Sequence, residues 1–291
     1  MLDPDFLRRL ERLAIVARKS LKGVGQGERR SKRHGGSVEF SDYRRYSPGD
    51  DTRRIDWYAY ARLEQMFLKL YVEEQDLCVH VLLDQSKSME TGRPPKLPFA
   101  RQLAVALAYV ALSAGDRVSL RVVRGGQAGR PFGPLRGRHG LSRLLRHLGE
   151  DSAAAGQTSL TRSIQSFLAR SPSPGVVLLI SDLLDPAGVS APLERLRYSG
   201  YEPHVLHVIA PDEAEPEVGE DVELEDVETG ELATVSLDQP AVRAYRAAFA
   251  AFQEEVSSHC RRHGIGYAVA RTDVPVDELV LGALRQSELL R

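Results

Sequence analysis

The feature that most constrains the fold is a series of short, continuously apolar runs separated by segments with helical spacing. Residues 79–83, 176–180 and 204–210 contain no Asp, Glu, Lys or Arg. A strand that is apolar at every position is buried on both faces, which is typical of parallel sheets covered by helices. The sequence therefore predicts an α/β fold, in which a mostly parallel sheet carries helices on both faces.

The same patterns predict the individual elements. The predicted strands are residues 66–72, 77–84, 117–123, 176–181, 204–210 and 265–269. The predicted helices are residues 3–21, 96–113, 159–169 and 190–198, with further helices through 141–148, 242–256 and 279–289. Alternating apolar residues on both sides of Thr229 and Gly230 predict a β-hairpin that interrupts this order.

The chain divides into three predicted parts. Residues 1–35 form an N-terminal helix and a basic linker, and residues 36–75 an aromatic and charged appendage that packs on the main domain. Residues 76–291 form the α/β domain, with a hairpin insertion at about 211–240. Four of the five residues in 29–33 are basic. That stretch is either a solvated linker or a docking arm for an acidic partner.

Charge and cysteine content exclude several classes of protein. The formal net charge is −1, so no overall charge favours nucleic acid or an anionic membrane. Cys78 and Cys260 match no metal or redox spacing, and we expect them to be reduced thiols. The longest largely apolar stretch, residues 103–114, is too short to span a bilayer. We therefore expect a cytoplasmic protein with no nucleic-acid partner and no membrane span.

Oxygen-bearing side chains follow two of the predicted strands. In VHVLLDQSKSME an apolar run ends at Asp84 and is followed by Ser86 and Ser88, and the strand at 176–181 is followed by Asp182. Thr158, in GQTSL, lies in the turn before a helix. In an open parallel sheet, ligands bind beyond the carboxyl ends of the strands. Because all five side chains offer hard oxygen donors, they favour Mg²⁺, Mn²⁺ or Ca²⁺ over zinc, and we expect Mg²⁺ or Mn²⁺.

This arrangement resembles the metal-ion-dependent adhesion site of von Willebrand factor A domains, with all five positions filled. The resemblance implies that Ser86, Ser88 and Thr158 supply neutral hydroxyl oxygens to the ion, while Asp84 and Asp182 hold coordinated waters or bind the ion themselves. Because such ligands are mainly neutral, the ion stays electrophilic. The resemblance therefore implies a protein partner that offers a carboxylate to the metal.

A second resemblance covers residues 40–62, FSDYRRYSPGDDTRRIDWYAYAR. This segment is similar to the signature of the domain-of-unknown-function 58 family, in which it stands just ahead of a von Willebrand A-like domain. Members are commonly encoded beside MoxR-type AAA+ ATPases, and many have N-terminal membrane helices, which we do not expect in this chain. The resemblance implies a MoxR-type ATPase as a possible partner.

Structural explanations remain open for these residues. Ser86 and Ser88 could cap the following helix, and serine is favoured at such positions. Asp182 could be a lone strand-end carboxylate, and Thr158 could be a helix cap. Asp185 is expected to be a cap or surface residue. The histidines on predicted strands are expected to be structural: His80, His204 and His207. The Arg and Asp residues of 44–56 form either an internal ion-pair network or a partner surface.

Two classes of function follow. The first is a metal-dependent protein-interaction module without catalytic activity. The second is a Mg²⁺-dependent phosphohydrolase, since a strand-end aspartate with Mg²⁺ also supports phosphoryl chemistry. A haloacid-dehalogenase-like enzyme would need a second acid two residues after its nucleophile, and this chain has Ser86 at that position. The sequence also contains neither a GxxxxGK[ST] loop nor a GxSxG elbow. The binding module is therefore the favoured prediction.

Overall fold

The structure is a computed structural model. It describes residues 3–17, 39–72, 77–124, 126–150, 159–170, 173–219, 221–225, 230, 232–286 and 289–291. The chain separates into two compact units, a larger one of Met1–Ser20 with Leu77–Arg291 and a smaller one of Leu21–Asp76. Among the described residues, no helix combines the length and the apolar character needed to cross a membrane.

The elements are numbered in chain order over both units. The strands are β1 (Glu39–Arg45), β2 (Phe67–Val72), β3 (Cys78–Asp84), β4 (Arg117–Arg124), β5 (Gln127–Ala128), β6 (Phe132–Leu135), β7 (Val176–Ser181), β8 (Glu202–Ile209), β9 (Asp221–Glu225), β10 (Leu232–Ser236) and β11 (Gly266–Arg271). The helices are α1 (Pro4–Leu10), α2 (Trp57–Leu63), α3 (Lys96–Ser113), α4 (Gly140–Glu150), α5 (Leu160–Arg170), α6 (Ser190–Tyr198), α7 (Pro211–Ala214), α8 (Gln239–His263), α9 (Val276–Leu281) and α10 (Ala283–Gln286).

The larger unit is built on one mostly parallel sheet. Its strand order is β11-β8-β7-β3-β4-β5, and β6 also pairs with β4. The five strands from β11 to β4 are mutually parallel, whereas β5 and β6 run antiparallel to β4. Every residue of β3, β7 and β8 is buried. The predicted α/β fold, with a mostly parallel sheet covered on both faces, is confirmed.

Alternate residues of the central strands feed two separate cores, as the period of a strand requires. Val81 and Leu83 of β3 belong to one core, which also contains buried residues of α1, α3, α4 and α9. Leu82, between them, belongs to the other, which contains buried residues of α5, α6 and α8. The helices that follow β3 and β7 therefore cover opposite faces of the sheet.

The N-terminal helix is shorter than predicted. Helix α1 ends at Leu10 rather than continuing to residue 21. Ile15 instead forms an antiparallel bridge with Leu290, and the Val16 amide donates to the Leu289 carbonyl at 2.9 Å. The residues after α1 have helical spacing, but they pair in extended form with the end of the chain. This pairing buries Ile15 and gives hydrogen-bond partners to the backbone groups of its neighbours.

The predicted hairpin is present as the antiparallel pair β9 and β10. Its register joins Asp221 to Ser236 and Glu225 to Leu232. Of the two predicted turn residues, Thr229 lies outside the described residues, and Gly230 has a φ of 76°. Such a φ is uncommon for residues with a side chain, which explains a glycine there.

The smaller unit contains the antiparallel pair β1 and β2 together with α2. Asp56 caps α2 by accepting from the Tyr58 amide at 3.0 Å, and it also accepts from the Tyr43 hydroxyl at 2.8 Å. Arg44 donates to Asp50 at 2.7 Å. Of the two explanations left open for this segment, internal pairing is therefore found for Arg44 and Asp50, while Asp56 serves as a cap.

The smaller unit leaves aromatic side chains exposed. Trp57 is 59% exposed and Tyr58 is 86% exposed. The aromatic area of residues 36–75 predicts that this segment packs on the main domain, because such area is costly to leave in water. That packing remains a prediction.

Candidate functional site

The candidate site lies at the centre of the sheet, where β3 and β7 run side by side. The chain passes from β3 to β4 on one side and later returns to place β7 on the other side. The strand order therefore reverses between β3 and β7, and the crevice outside the carboxyl ends at such a switch point is the usual ligand site of this architecture. Asp84 ends β3, and Asp182 directly follows β7.

The loop after β3 folds back on the carboxylate of Asp84. The Ser86 amide donates to Asp84 Oδ1 at 2.9 Å, and the Ser181 hydroxyl donates to Asp84 Oδ2 at 2.6 Å. The hydroxyl oxygens of Ser86 and Ser88 lie 2.9 Å apart, in hydrogen-bond contact. All four side chains are buried. Asp84 thus joins the loop to β7, and the two serines point toward each other.

Capping does not account for the serine pair. Ser86 precedes the 3-10 helix Lys87–Glu90, but its side chain makes no capping hydrogen bond. Helix α3 begins after Pro95, which has no capping side chain. Because the Ser86 hydroxyl pairs with Ser88 instead of an exposed helix end, the capping explanation is wrong for Ser86.

Asp182 is held on three sides. Its Oδ2 accepts from Lys96 Nζ at 2.8 Å, and its backbone carbonyl accepts from His207 Nε2 at 3.1 Å. Its Oδ1 accepts a long hydrogen bond of 3.3 Å from the Leu184 amide. The intervening Leu183 has a φ of 60°, which is strained for a branched side chain and is a feature that clusters at functional sites.

Lys96, the first residue of α3, is fully buried. Its ammonium contacts both Asp182 and Glu213, the latter on α7. Burial alone lowers the pKa of this amine, but the two carboxylates more than offset it, and the net pKa is raised. Lys96 is therefore a fixed positive charge inside the site.

A tight loop brings Lys96 into place. Gly92 has a φ of 95°, and a Cβ at this position would lie 2.4 Å from Cβ of Ala210. The Arg93 amide donates to Asp212 Oδ1 at 2.9 Å. Because only a glycine permits this approach, the loop packs directly against the start of α7.

Two neighbouring buried carboxylates give the site unbalanced charge. Burial, followed by repulsion from Asp182, raises the pKa of Asp84 to about 6. Among the described residues, the network joins the carboxyl groups of Asp84, Asp182 and Glu213 to the ammonium of Lys96. Acidic groups therefore outnumber cations in this network, which favours a further cation there.

The serine geometry fits a divalent ion. With metal–oxygen bonds of 2.0–2.1 Å, adjacent corners of an octahedral Mg²⁺ site are about 2.9 Å apart. The separation of the Ser86 and Ser88 hydroxyl oxygens is also 2.9 Å. The Asp84 carboxylate accepts from the Ser181 hydroxyl and from both the backbone and the side chain of Ser86, and carboxylate oxygens have about four acceptor positions, so it can also accept from a metal-bound water. The donors present therefore fit the predicted ion.

Thr158, the fifth predicted ligand, lies outside the described residues. Leu160, two positions later, donates its amide to Asp185 Oδ2 at 2.6 Å, and the Ala187 amide donates to Asp185 Oδ1 at 2.8 Å. The prediction that Asp185 is a cap is confirmed. The structure brings Asp84, Ser86, Ser88 and Asp182 together at one sheet edge.

Four further residues of the network were not predicted: Ser181, Lys96, Glu213 and His207 as a support for Asp182. One signal was available. A lysine at the first position of an apolar helix opposes the helix dipole, which favours cations at the opposite end. That anomaly points to a carboxylate nearby. Glu213 carries no comparable local pattern.

Comparisons with known proteins are consistent with the sequence resemblance. Uncharacterized proteins of Mycobacterium tuberculosis and Mycobacterium bovis are 29% identical to this chain over 278 residues, covering 93% of this chain and 86% of theirs. The conserved hypothetical protein BatB from Bacteroides thetaiotaomicron is 16% identical, with a TM-score of 0.44 over 72% of this chain and 98% of that one. A von Willebrand factor type A protein from Catenulispora acidiphila is 14% identical, with a TM-score of 0.36 over 76% of this chain and 43% of that one.

With TM-scores this low, the description of the fold rests on the sheet topology itself. The family model is more informative. The family described as "Protein of unknown function DUF58" matches residues 42–256, which is well over half of the chain. The match includes residues 42–75 of the aromatic and charged segment, β3, β7 and the whole of the candidate site. This chain therefore belongs to the DUF58 family.

Proposed function

We propose that the chain is a metal-dependent protein-interaction module. A divalent cation, Mg²⁺ or Mn²⁺, binds at the carboxyl edge of β3 and β7. Ser86 and Ser88 would hold it directly, together with Thr158, and Asp84 and Asp182 would hold it directly or through waters. The ion supplies an electrophilic centre for a carboxylate of the partner protein.

The observation that carries this proposal is the buried serine pair. Two hydroxyls face each other at 2.9 Å above two buried carboxylates, and that of Ser86 caps no helix. Buried polar groups are costly unless they are well satisfied. A hard cation would satisfy the hydroxyl oxygens and the excess negative charge together.

A partner's acidic side chain would meet the network near α7. Glu213 is its outermost carboxylate, with 22% of the side chain exposed, whereas Asp182 is 3% exposed. Because Glu213 already pairs with the ammonium of Lys96, a partner carboxylate would bind there through the cation.

A MoxR-type AAA+ ATPase, or the target of such an ATPase, is the leading candidate for the partner. This part of the proposal is supported by the family resemblance of residues 40–62. The module would then act in the assembly or maturation of a protein target. A role of this kind requires no catalytic group in the chain.

No observation favours the phosphohydrolase. Ser86 occupies the position at which a haloacid-dehalogenase-like phosphohydrolase has its general acid, so this site lacks that acid. The buried ammonium of Lys96 is directed at two carboxylates. An assay with generic phosphoesters and Mg²⁺ should give no turnover above the level of an EDTA control.

The central test compares the wild type with the double variant Ser86→Ala with Ser88→Ala. Calorimetry with Mn²⁺ should show one site in the wild type and none in the double variant. Partner capture should weaken in parallel, since truncation of one side of a charged contact costs about 2–5 kcal/mol, or roughly thirtyfold in affinity or more. Pull-downs with and without EDTA, read by mass spectrometry, measure this loss.

Ser142→Ala, at an exposed serine of α4, is the matched control and should bind as the wild type does. Circular dichroism should show that all variants fold. Equal Mn²⁺ binding by the wild type and the double variant would refute the metal site. Partner capture that persists in EDTA would refute metal-dependent recognition and move the interface to another surface.

A further inference from the structure

A second polar cluster lies on one face of the sheet, between α6 and α8. Leu193 and Leu196 of α6 share a core with Val256 and Cys260 of α8. This packing fixes the two helices against each other. Beside it, Glu194 of α6 faces two histidines at the end of α8, His259 and His263. The two histidines are four residues apart, so they lie on the same side of the helix.

The three side chains converge on one point. Glu194 Oε1 lies 3.6 Å from His259 Nε2 and 3.5 Å from His263 Nε2. All three atoms lie within 4.8 Å of one another. These separations are too long for good hydrogen bonds. In a tetrahedral zinc site with bonds of 2.0–2.2 Å, neighbouring ligand atoms are about 3.4 Å apart, so the contacts to Glu194 match the edges of such a site.

Backbone contacts orient both rings. His263 Nδ1 lies 2.9 Å from the His259 carbonyl, so it carries the proton and donates to it. That tautomer leaves the lone pair of His263 Nε2 directed at the cluster. The Ser190 backbone hydrogen-bonds the His259 ring. A ring nitrogen held by a backbone carbonyl, with the other nitrogen available, is the usual arrangement of a metal-ligating histidine.

An unsatisfied atom points to a missing ligand. His259 is buried, with 8% of its side chain exposed, and its Nε2 has no hydrogen-bond partner among the described residues. Leaving a buried polar atom without a partner costs free energy. A metal ion bonded to Nε2 would remove that cost. This atom therefore supplies an observation independent of the spacing of the three residues.

We propose that Glu194, His259 and His263 form a Zn²⁺ site that joins α6 to α8. Two imidazoles and one carboxylate are a recurrent zinc ligand set, and three protein ligands leave a fourth position for water. Glu194 and His263 are each about one-third exposed, at 33% and 32%, so that position can be reached from solvent. The site is independent of the proposed function, because imidazole donors select zinc whereas the strand-end oxygens select Mg²⁺ or Mn²⁺.

Positive charge nearby limits the affinity. Arg197 donates to the His263 carbonyl at 3.1 Å. Burial is the main cause of the lowered pKa of His259, and the charge of Arg262 also lowers it. Within the part of the chain that the structure describes, Glu194 is the one carboxylate of this cluster. The competing explanation is that Glu194 simply forms ion pairs with protonated histidines. A metal titration separates the two explanations, since ion pairs alone bind no zinc.

The experiment uses the full chain without a histidine tag, stripped with EDTA. Co²⁺ is titrated first, because tetrahedral Co²⁺ absorbs strongly in the visible range, and Zn²⁺ then displaces it. The wild type should bind one equivalent and should gain thermal stability. Glu194→Gln and His263→Gln should each lose at least about tenfold in Zn²⁺ affinity, together with the tetrahedral band.

His139→Gln, at an exposed histidine outside the cluster, is the matched control and should bind as the wild type does. Since Glu194 and His263 are partly exposed, their variants should fold, as melting curves in EDTA would show. If one variant fails to fold, the other decides the result. Unchanged Zn²⁺ affinity in a folded cluster variant, or no Zn²⁺ binding by the wild type, overturns the proposal.

Discussion

The strand-end site and the histidine cluster differ in how the hydrogen-bonding capacity of their buried polar atoms is satisfied. Both place polar side chains in the buried part of one α/β unit. At the strand ends, Lys96 already offers its ammonium to Asp182, and both oxygens of Asp84 accept from protein donors. In the histidine cluster, His259 Nε2 has no such donor or acceptor among the described residues.

The two sites therefore show that the net charge of a buried cluster and the hydrogen bonding of its atoms can vary independently. The strand-end network is well hydrogen-bonded, but among the described residues it contains more acidic groups than cations. The histidine cluster has little charge, but it leaves a lone pair unused. A cation at the first site chiefly balances charge, whereas a cation at the second chiefly supplies a bond. The two sites should therefore respond differently to loss of an internal cation, to pH and to each other's ligands.

The largest expected effect comes from Lys96→Met. Removing the ammonium leaves Asp182 and Glu213 without their cation, and breaking a buried pair in this way typically costs about 3–5 kcal/mol. Urea unfolding in EDTA should show a loss of that size. Mn²⁺ should restore part of it, because an ion binding only the folded state stabilises that state. The variant should also bind Mn²⁺ more tightly than the wild type does.

Lys87→Met is the matched control, since Lys87 lies between β3 and α3 and is partly exposed. Surface substitutions usually change the free energy of unfolding by less than about 0.5 kcal/mol. If Lys96→Met and the wild type are equally stable in EDTA, Lys96 does not balance the charge of the site.

A smaller effect concerns pH in the absence of metal. The pKa of Asp84 is raised to about 6, above the ordinary value of 3.8, so the folded state binds its proton more tightly than the unfolded state does. This contribution stabilises the protein below about pH 4 and is lost as the pH rises to about 6. His207, whose burial lowers its pKa to about 4, acts in the opposite direction over the same range.

The difference between the wild type and Asp84→Asn isolates the carboxyl group. Urea unfolding at several pH values between 4 and 6.5 should show the wild type losing stability relative to Asp84→Asn as the pH rises. A constant difference across this range would mean that Asp84 titrates normally.

The smallest expected effect is the absence of cross-talk between the sites. Glu194→Gln should leave Mn²⁺ binding at the strand ends unchanged, and the Ser86 and Ser88 double variant should keep the tetrahedral Co²⁺ band. Calorimetry and absorption spectra measure these two controls. Loss of both metals in either variant would show that the strand-end residues and the histidine cluster form one coupled site.

Some strands and helices follow from the sequence pattern, and others do not. Strands β3 and β7 were predicted closely, because a continuously apolar run bounded by polar residues has few other uses in a soluble chain. The hairpin β9 and β10 was predicted from alternation and a glycine. Helix α1 was predicted too long, since Ile15 pairs with Leu290 at the other end of the chain. Strand β1 was not predicted at all.

The candidate site shows the same division. Asp84, Ser86 and Ser88 share one loop, so their proximity follows from sequence alone. Asp182 was predicted from the general rule that parallel strand ends meet at one edge. Lys96 and Glu213 were missed because each reaches the site from a distant element. The ligand role of the predicted residues remains a prediction.

The sequence by itself determined the α/β class, the polar loop after β3 and the family, because these depend on local periodicity and on residues adjacent in the chain. Only the tertiary structure decided which distant side chains meet. Lys96 reaches Asp182 across 86 positions, and Glu194 meets His263 at the end of a 25-residue helix. Such contacts depend on how separate helices pack against the sheet, and no periodic pattern records the final distance between side chains that packing brings together.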